Sequence, residues 1–223
     1  MREVVRAEEG EVFDIELEES LLEANRRIAE QNRRLLDEHG ITAIDVMGSV
    51  GSGKTSLIGR LVELLKGRYR IAYIAGDLTT TIDADAIARH GVPVVQINTG
   101  KECHLDANLV AKALRRLELA KLDLIFIENV GNLICPAEFP LGAHRRLVVV
   151  SVPEGPYVVV KHPYIFMEAD VAVINKMDLA PYMGVDVGKL EADILAVNPA
   201  IKVVRASCRT GEGIKEVAEA LEL

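Results

Sequence analysis

The stretch that decides the fold reads Gly48-Ser49-Val50-Gly51-Ser52-Gly53-Lys54-Thr55. An apolar run over residues 41–47 precedes it, and a helical pattern over 56–66 follows it. Glycines let a backbone curl around an anion, because a Cβ there would collide with a phosphate or forbid a positive φ. The amide N–H groups of such a turn and the N-terminus of the next helix point at the phosphates. The order of strand, glycine-rich turn and helix predicts a phosphate-binding P-loop.

The residues of this turn have distinct predicted roles. Lys54 is placed to neutralise the β- and γ-phosphates, which makes it a candidate catalytic residue. Thr55 is placed to offer its hydroxyl to Mg²⁺. The rest of the turn and the start of the helix are expected to surround the phosphates. The nucleotide-binding residues predicted here are Gly48, Ser49, Val50, Gly51, Ser52, Gly53, Lys54, Thr55 and Ser56.

Length and composition fit a single α/β domain. The chain has 223 residues, 49% of them hydrophobic, which is enough for a large core. A net charge of −8 argues against nucleic acid as a partner, because non-specific binding needs clustered Lys and Arg. No apolar run approaches the roughly 20 residues that span a bilayer, and no basic and then apolar leader follows Met1. Three widely spaced cysteines predict no disulfide framework, so we expect a protein of the reducing cytoplasm without a membrane partner.

Apolar runs and helical patterns alternate along the chain. Residues 1–40 are expected to form an acidic arm and a helix over 20–38, begun by a capping box at Ser20 and packed on the sheet edge. Residues 41–223 are expected to form the P-loop GTPase domain. Further strands are predicted over 69–75, 92–97, 122–127, 147–152, 171–174 and 202–206, and further helices from a cap at Asp83, over 105–121 and over 213–223. This alternation predicts a doubly wound, mostly parallel sheet flanked by helices, as in P-loop NTPases.

A second motif, Asn175-Lys176-Met177-Asp178, ends a predicted strand and indicates guanine as the base. The Asp178 carboxylate can accept the N1–H and N2–H₂ groups of guanine together, whereas adenine would leave a buried carboxylate unsatisfied. Asn175 is expected to tie this loop to the P-loop, and the Lys176 stem is expected to lie over the base. The loop Ser207-Cys208-Arg209 is expected to contact guanine O6 through its backbone.

Acidic residues after two other strands predict the hydrolytic centre. In Glu128-Asn129-Val130-Gly131, Glu128 can hold Mg²⁺ through a water and the Gly131 amide can meet the γ-phosphate. Asp77 is the candidate for orienting the attacking water or completing the Mg²⁺ shell, unless it only caps the following loop. No glutamine follows Gly131 and no arginine finger is evident, so slow GTP hydrolysis is expected. The predicted catalytic residues are Lys54, Asp77 and Glu128, and the predicted magnesium ligands are Thr55, Asp77 and Glu128.

Sulfur and imidazole groups predict a second site. Cys103 and His104 lie where a loop leads into a predicted helix, and Cys135 lies four residues after Gly131. Loops at the carboxyl ends of parallel strands gather at one edge of the sheet, so both segments are expected there. Two thiolates and one imidazole suit Ni²⁺ or Zn²⁺, and a helix N-terminus is expected to lower the thiol pKa. Three ligands fall short of a closed tetrahedron, so water or a second subunit must supply the rest. The alternative is two half-buried cysteines and a solvated histidine.

Taken together, the motifs resemble the hydrogenase nickel-insertion GTPases of the HypB family. The resemblance implies a homodimer on GTP binding, with Cys103, His104 and Cys135 forming an interface metal site. It also implies Ni²⁺ delivery to a [NiFe]-hydrogenase large-subunit precursor, together with a small zinc-binding maturation partner. Many members begin with a Cys-rich nickel motif and a His-rich tract, but this chain has neither Cys nor His before His39, so high-affinity nickel storage is not expected. The resemblance spans residues 41–213 and rests on the P-loop, 76–77, 102–107, 128–136 and 175–178.

Two other functions remain open from the motifs. A related dimeric chaperone GTPase, of the urease or cobalamin-enzyme type, would share the nucleotide motifs but is not expected to carry the paired Cys-His and Cys-Pro segments. A metal-buffering protein would bind the same ions and hydrolyse nucleotide only incidentally. Metal binding that differs with and without a GTP analogue favours the metallochaperone, because a metal buffer should bind its ion equally in both states.

Overall fold

A computed structural model describes residues 15–77, 80–100 and 102–223, with side chains from residue 20 onward. Within these residues, seven strands form one sheet in the order β3-β2-β4-β1-β5-β6-β7, and every neighbouring pair is parallel. The predicted doubly wound sheet is therefore confirmed. The strands are β1 (Thr42–Gly48), β2 (Ile71–Asp77), β3 (Val94–Asn98), β4 (Leu124–Glu128), β5 (Arg145–Ser151), β6 (Val171–Asn175) and β7 (Lys202–Arg205).

Helices cover both faces of the sheet, which explains why β4 and β6 are buried at every position and are apolar up to their last residues, Glu128 and Asn175. The helices of the described residues are α1 (Ile15–Glu38), α2 (Lys54–Leu65), α3 (Ile82–Ala88), α4 (Ala107–Leu114), α5 (Cys135–Glu138), α6 (Val158–Lys161), α7 (Pro163–Met167), α8 (Ala180–Met183), α9 (Val187–Val197) and α10 (Ile214–Ala220). One face packs against α2, α3 and α10. The other face packs against α1 and α4 on one half and α6, α7 and α9 on the other. None of the helices in the described ranges is both long and apolar enough to span a bilayer.

The N-terminal helix differs from the prediction in where it begins and where it packs. α1 begins at Ile15, so the proposed capping box at Ser20 lies inside the helix and does not start it. The helix packs on a face of the sheet beside α4, where Leu36 is buried with Ala43 of β1, and not on the sheet edge that β3 and β7 form. The remaining residues of the predicted arm, 1–14, lie outside the described residues.

Two other helix boundaries correct the prediction. The helix predicted over 105–121 is shorter, because α4 ends at Leu114 and a separate 3₁₀ turn follows at Leu119–Lys121. No Gly or Pro lies between these elements, so tertiary packing ends α4 where propensity would continue it. The predicted cap at Asp83 is also wrong: Thr81 occupies the cap position of α3, and Asp83 lies in the first turn.

The parallel arrangement brings the functional loops to one edge of the sheet. β1 ends at Gly48, β2 at Asp77, β4 at Glu128 and β6 at Asn175, and all four strands point the same way. Ligand sites of open α/β sheets lie outside the carboxyl ends of the strands. The fold therefore gathers the P-loop, the loop after β4 and the loop after β6 around one space.

Gly142→Ala is expected to lower the free energy of unfolding by on the order of 1–3 kcal/mol. Gly142 has a φ of +93°, and a Cβ there would lie 2.4 Å from the backbone oxygen of Ala29 on α1. Urea denaturation followed by circular dichroism measures the loss.

The matched control is Gly40→Ala, because Gly40 also has a positive φ of +64° but a Cβ there meets no atom within 4 Å. Equal losses in the two variants would mean that backbone strain alone matters and that the close approach of α1 does not.

Candidate functional site

The P-loop follows β1 and requires glycine at two close approaches. Gly48 has a φ of +147°, and a Cβ there would lie 2.3 Å from the backbone oxygen of Val149 on β5. Gly53 has a φ of +100°, and a Cβ there would lie 2.2 Å from Asn175 Nδ2. Strand β5 and the last residue of β6 therefore leave no room for side chains at two glycines of the phosphate-binding motif.

Lys54 is held inside the curl of this loop. Its Nζ donates to the backbone oxygens of Gly48 at 3.2 Å and Ser49 at 3.1 Å. Burial lowers the pKa of the Lys54 ammonium, while the nearby carboxylates of Glu128 and Asp83 act in the opposite direction. Carboxylate attraction and two carbonyl contacts compensate for the burial of this side chain.

Two carboxylates converge on the hydroxyl of Thr55. Thr55 Oγ1 lies 2.8 Å from Glu128 Oε1 and 2.9 Å from Asp83 Oδ1. The hydroxyl of Tyr73 on β2 donates to Glu128 Oε2 at 2.6 Å. Burial raises the pKa of Glu128 to about 6, while Lys54 and the Tyr73 hydrogen bond hold it down. A hydroxyl and two carboxylates form a set of hard oxygen ligands of the kind that Mg²⁺ takes.

Asp83 is the member of this group that the sequence analysis missed. The sequence predicts Asp77 as a magnesium ligand, but the Asp77 carboxylate accepts a hydrogen bond from the backbone N–H of Thr80 at 3.2 Å and contacts the Thr80 hydroxyl. These contacts match the loop-capping alternative, and the role of Asp77 in hydrolysis remains a prediction. The sequence signal for Asp83 is an acidic residue in the first turn of the helix that follows β2, a position that local rules interpret as a helix cap.

The end of β6 is joined to the P-loop through Asn175, as the motif predicts, and through Lys176, which the motif does not predict to bond there. Asn175 Nδ2 donates to the Ser52 backbone oxygen at 2.9 Å, and Asn175 Oδ1 accepts from the Cys208 N–H at 3.2 Å. Lys176 Nζ donates to the Gly51 backbone oxygen at 2.6 Å. The same lysine has a φ of +61°, a conformation that non-glycine residues adopt mainly at constrained sites.

The loop after β7 completes this side of the site. Ser207 Oγ donates to Asp178 Oδ1 at 2.6 Å and so fixes the orientation of the carboxylate. Arg60 on α2 donates from Nε to the Cys208 backbone oxygen at 2.8 Å and from Nη2 to that of Arg209 at 3.3 Å. The helix that follows the P-loop therefore also holds the 207–209 loop.

Cys103, His104 and Cys135 come together at the same edge of the sheet. Their ligand atoms all lie within 4.8 Å of one another, with the two Sγ atoms 2.9 Å apart and Cys103 Sγ 3.9 Å from His104 Nδ1. These separations bracket the roughly 3.7 Å expected between ligand atoms of a tetrahedral zinc site. The His104 ring stacks on Phe139 with its centroid 3.9 Å away, which restrains the imidazole. The three side chains fit one soft or borderline metal ion.

The protonation of this group differs in part from the prediction. Burial lowers the pKa of His104, which keeps its imidazole neutral and able to bind a metal. Burial and the hydrogen bond with Cys103 raise the pKa of the Cys135 thiol, so the lowering expected for thiols at a helix N-terminus does not hold for Cys135. α5 spans only Cys135–Glu138, and burial beside a second thiol outweighs so short a helix. A bound metal ion would displace the proton and take the thiolate.

One loop, residues 128–135, touches both the P-loop and the thiol group. A Cβ on Gly131 would lie 2.4 Å from Val50 Cγ2, so the two loops are in direct contact. Asn132 forms an antiparallel bridge with Gly48, and its Nδ2 donates to the Cys103 backbone oxygen at 3.4 Å. One short segment of the chain therefore connects the phosphate-binding turn to the positions of Cys103 and Cys135.

Residues 42–205 match the family described as "CobW/HypB/UreG, nucleotide-binding domain". The chain is 51% identical over 208 residues to the probable hydrogenase maturation factor HypB of Methanocaldococcus jannaschii, covering 93% of this chain and 94% of that protein. A crystal structure of HypB from Archaeoglobus fulgidus matches with a TM-score of 0.84 and 45% identity over 89% of this chain and 97% of that one.

A second solved structure adds a ligand to the comparison. The crystal structure of HypB from Helicobacter pylori in complex with nickel matches with a TM-score of 0.85 and 32% identity, covering 89% of this chain and 94% of that one. Sequence and fold thus agree over nearly the whole described chain. The chain belongs to the HypB hydrogenase maturation factors, within the CobW/HypB/UreG family of nucleotide-binding GTPases.

Proposed function

We propose that the chain is a GTP-hydrolysing metallochaperone that binds Ni²⁺ or Zn²⁺ and assists nickel insertion into [NiFe]-hydrogenase. The observation that carries this proposal is the convergence of Cys103, His104 and Cys135 beside the P-loop, on segments joined by the 128–135 loop. The nickel-bound relative from Helicobacter pylori supports nickel as the cargo. An ordinary GTPase needs no thiol pair next to its phosphate-binding turn.

The proposed nucleotide is GTP. Asp178 would accept the two donors of the guanine edge, and its bond from Ser207 holds the carboxylate in place for that task. The backbone of the 207–209 loop would meet guanine O6, and the Lys176 stem would lie over the base. Matched donors and acceptors of this kind discriminate by about 10⁴ against a ligand that leaves a buried group unpaired.

For hydrolysis, the residues around the phosphates would act through charge and position. Lys54 would neutralise the β- and γ-phosphates, and the Gly131 amide would meet the γ-phosphate. Thr55, Glu128 and Asp83 would together hold Mg²⁺. The bound ion would supply positive charge to the phosphates. Asp77 would orient the attacking water.

The metal site is proposed to be completed by a second copy of the chain on GTP binding. Three ligands leave a tetrahedral ion one ligand short. Val50 on the P-loop and Ile134 beside Cys135 are 83% and 55% exposed, so apolar side chains flank the phosphate and metal loops. Exposed apolar groups beside a site favour an interface there. A hydrogenase large-subunit precursor and a small zinc-binding maturation partner are the proposed further partners.

Asp178→Asn is expected to shift the base preference from guanine to xanthine. Xanthine carries an acceptor where guanine carries the N2 amino group, and the Asn amide can donate to it. Calorimetry with GTP and with xanthosine triphosphate should show GTP affinity falling by roughly a hundredfold or more. Asp186→Asn is the matched control, because Asp186 caps α9 through Lys189 N–H. Unchanged GTP affinity in Asp178→Asn would remove the guanine assignment.

Asp83→Asn is expected to raise the Mg²⁺ concentration needed for half-maximal GTP hydrolysis by roughly tenfold. The variant keeps the size of the side chain but removes the charge that faces Thr55 at 2.9 Å. Hydrolysis rates over a Mg²⁺ series measure the effect. Asp85→Asn is the control on the same helix, because Asp85 accepts from the Thr81 hydroxyl at 3.0 Å. The same Mg²⁺ dependence in Asp83→Asn and the unsubstituted chain would exclude Asp83 from the magnesium site.

Cys103→Ala and Cys135→Ala are each expected to abolish metal binding and leave folding and GTP affinity nearly intact. Both thiols lie at the sheet edge, and neither belongs to the clusters of buried hydrophobic residues. Metal content after loading with a non-hydrolysable GTP analogue and dialysis provides the measurement. Cys208→Ala is the control, because that thiol lies in the 207–209 loop. Full metal stoichiometry in either ligand variant would refute the site.

A further inference from the structure

The two segments that carry the proposed metal ligands are separate stretches of the chain. Cys103 and His104 precede α4, whereas Cys135 begins α5 after a different strand. The relative positions of the ligands therefore depend on non-covalent contacts between the two segments. Near the ligands, these contacts include the stack of His104 on Phe139, the bond from Asn132 to the Cys103 backbone, and the bond from the Leu105 N–H to Asn129 Oδ1.

Farther from the ligands, α1 joins the same two segments through two buried amides. Asn25 Nδ2 donates to the Pro140 backbone oxygen at 2.9 Å, and Asn25 Oδ1 accepts from the Ala107 N–H at 2.8 Å. Asn32 Nδ2 donates to the backbone oxygens of Ala107 at 2.8 Å and Leu141 at 3.0 Å. Each side chain thus bridges the first residue of α4 to the stretch that follows α5.

The position of these asparagines on α1 is informative. Asn25 and Asn32 lie about two turns apart and so share one face of the helix. They are only 7% and 3% exposed. A buried amide is costly unless it is hydrogen-bonded, and a helix held only by packing needs apolar side chains on that face. In the described part of the chain, all four of their hydrogen bonds go to the two ligand-bearing segments.

The backbone beside these bonds is also tightly fixed. Gly142 lies so close to α1 that a Cβ would come within 2.8 Å of Asn32 Cβ. Arg33 Nη1 donates to the Ala143 backbone oxygen at 2.5 Å. The stretch after α5 is therefore held against α1 over several consecutive residues, and a movement of α1 relative to α4 would be transmitted to it.

We infer that α1 is a positioning element of the metal site, and that Asn25 and Asn32 hold the two ligand-bearing segments at the spacing that lets one ion reach all three ligands. The inference rests on the proposed metal function. Neither asparagine touches a ligand atom, so both act through the backbone. Loss of groups that orient metal ligands typically weakens metal affinity 10–100-fold. We expect the Asn25→Ala/Asn32→Ala variant to fall in roughly that range.

The test is a Co²⁺ titration of the full chain, read by thiolate-to-cobalt charge-transfer absorbance and followed by Zn²⁺ competition. The double asparagine variant should bind both ions more weakly by roughly tenfold or more and show an altered Co²⁺ spectrum. Its GTP affinity, measured in parallel, should be unchanged, because among the described residues both asparagine side chains bond to residues 107, 140 and 141 and not to the nucleotide loops. Unchanged metal affinity and an unchanged spectrum would overturn the inference.

Two further variants separate positioning from general destabilisation. Leu36→Ala removes a buried side chain of α1 that packs in the core and makes none of the amide bonds, so it should lower the unfolding midpoint without weakening metal binding by the folded chain. Asn25→Asp keeps the acceptor for the Ala107 N–H but loses the donor to Pro140 and places a carboxylate against that carbonyl oxygen, so it should bind metal more weakly than the unsubstituted chain. A loss in Leu36→Ala equal to that in the double variant, or full rescue by Asn25→Asp, would contradict the positioning role.

The unsubstituted chain and Cys135→Ala are titrated alongside these variants. Absence of Cys135-dependent metal binding in the unsubstituted chain would overturn both the proposed function and the inference. Cys135-dependent binding that the asparagine substitutions leave unchanged would overturn only the inference.

Discussion

The close approach of two loops is the constraint on which the rest of the site depends. Gly131 lies against Val50 with no room for a side chain, so the loop after β4 packs directly against the P-loop. That loop begins at Glu128, which accepts from Thr55, and leads to Cys135, which faces Cys103. Phosphate-binding and thiol groups therefore share one short segment. In the proposed function, this arrangement would let the bound nucleotide alter the geometry of the thiol and imidazole groups.

Buried polar groups of the sheet also fix the position of residues 128–135. Asn129 Oδ1 accepts from the Leu105 N–H at 3.0 Å, next to His104, while Asn129 Nδ2 donates to Asp45 Oδ1 at 3.2 Å. Asp45 lies on β1 opposite Arg146 of β5, and burial raises the pKa of its carboxyl to about 6. Arg146 in turn reaches the backbone of the stretch after Cys135. The other carboxylate oxygen, Asp45 Oδ2, has no hydrogen-bond partner among the described residues and lies 3.9 Å from Arg146 Nε, so charge attraction alone compensates for its burial.

Much of this architecture could be predicted from the sequence because its signals are local. Apolar runs such as 122–127 mark strands buried on both faces, and the P-loop pattern fixes the order of strand, turn and helix. The convergence of Cys103, His104 and Cys135 followed from the rule that parallel strands end at one edge. The tie between Asn175 and the P-loop followed from its motif.

The parts that could not be predicted depend on tertiary contacts. Asp83 has the local signature of a helix cap, and only the approach of α3 to Thr55 shows that it faces the phosphate side of the site. From the sequence alone, Asn25 and Asn32 are typical of the solvent-exposed face of a helix. In the structure both are buried, because α1 packs against α4. The Cys135 thiol lies at a helix start, yet its pKa is raised because burial beside Cys103 outweighs the helix. Packing likewise ends α4 earlier than helix propensity does.

The central claim is that nucleotide and metal are linked through residues 128–135, and one linked titration tests it most directly. Zn²⁺ or Ni²⁺ affinity is measured for the full chain loaded with GDP and with a non-hydrolysable GTP analogue, at one fixed protein concentration. The account predicts that the two affinities differ, typically on the order of 5–150-fold, and that metal changes the affinity for the analogue relative to GDP by the same factor. Equal metal affinities in the two nucleotide states would contradict it.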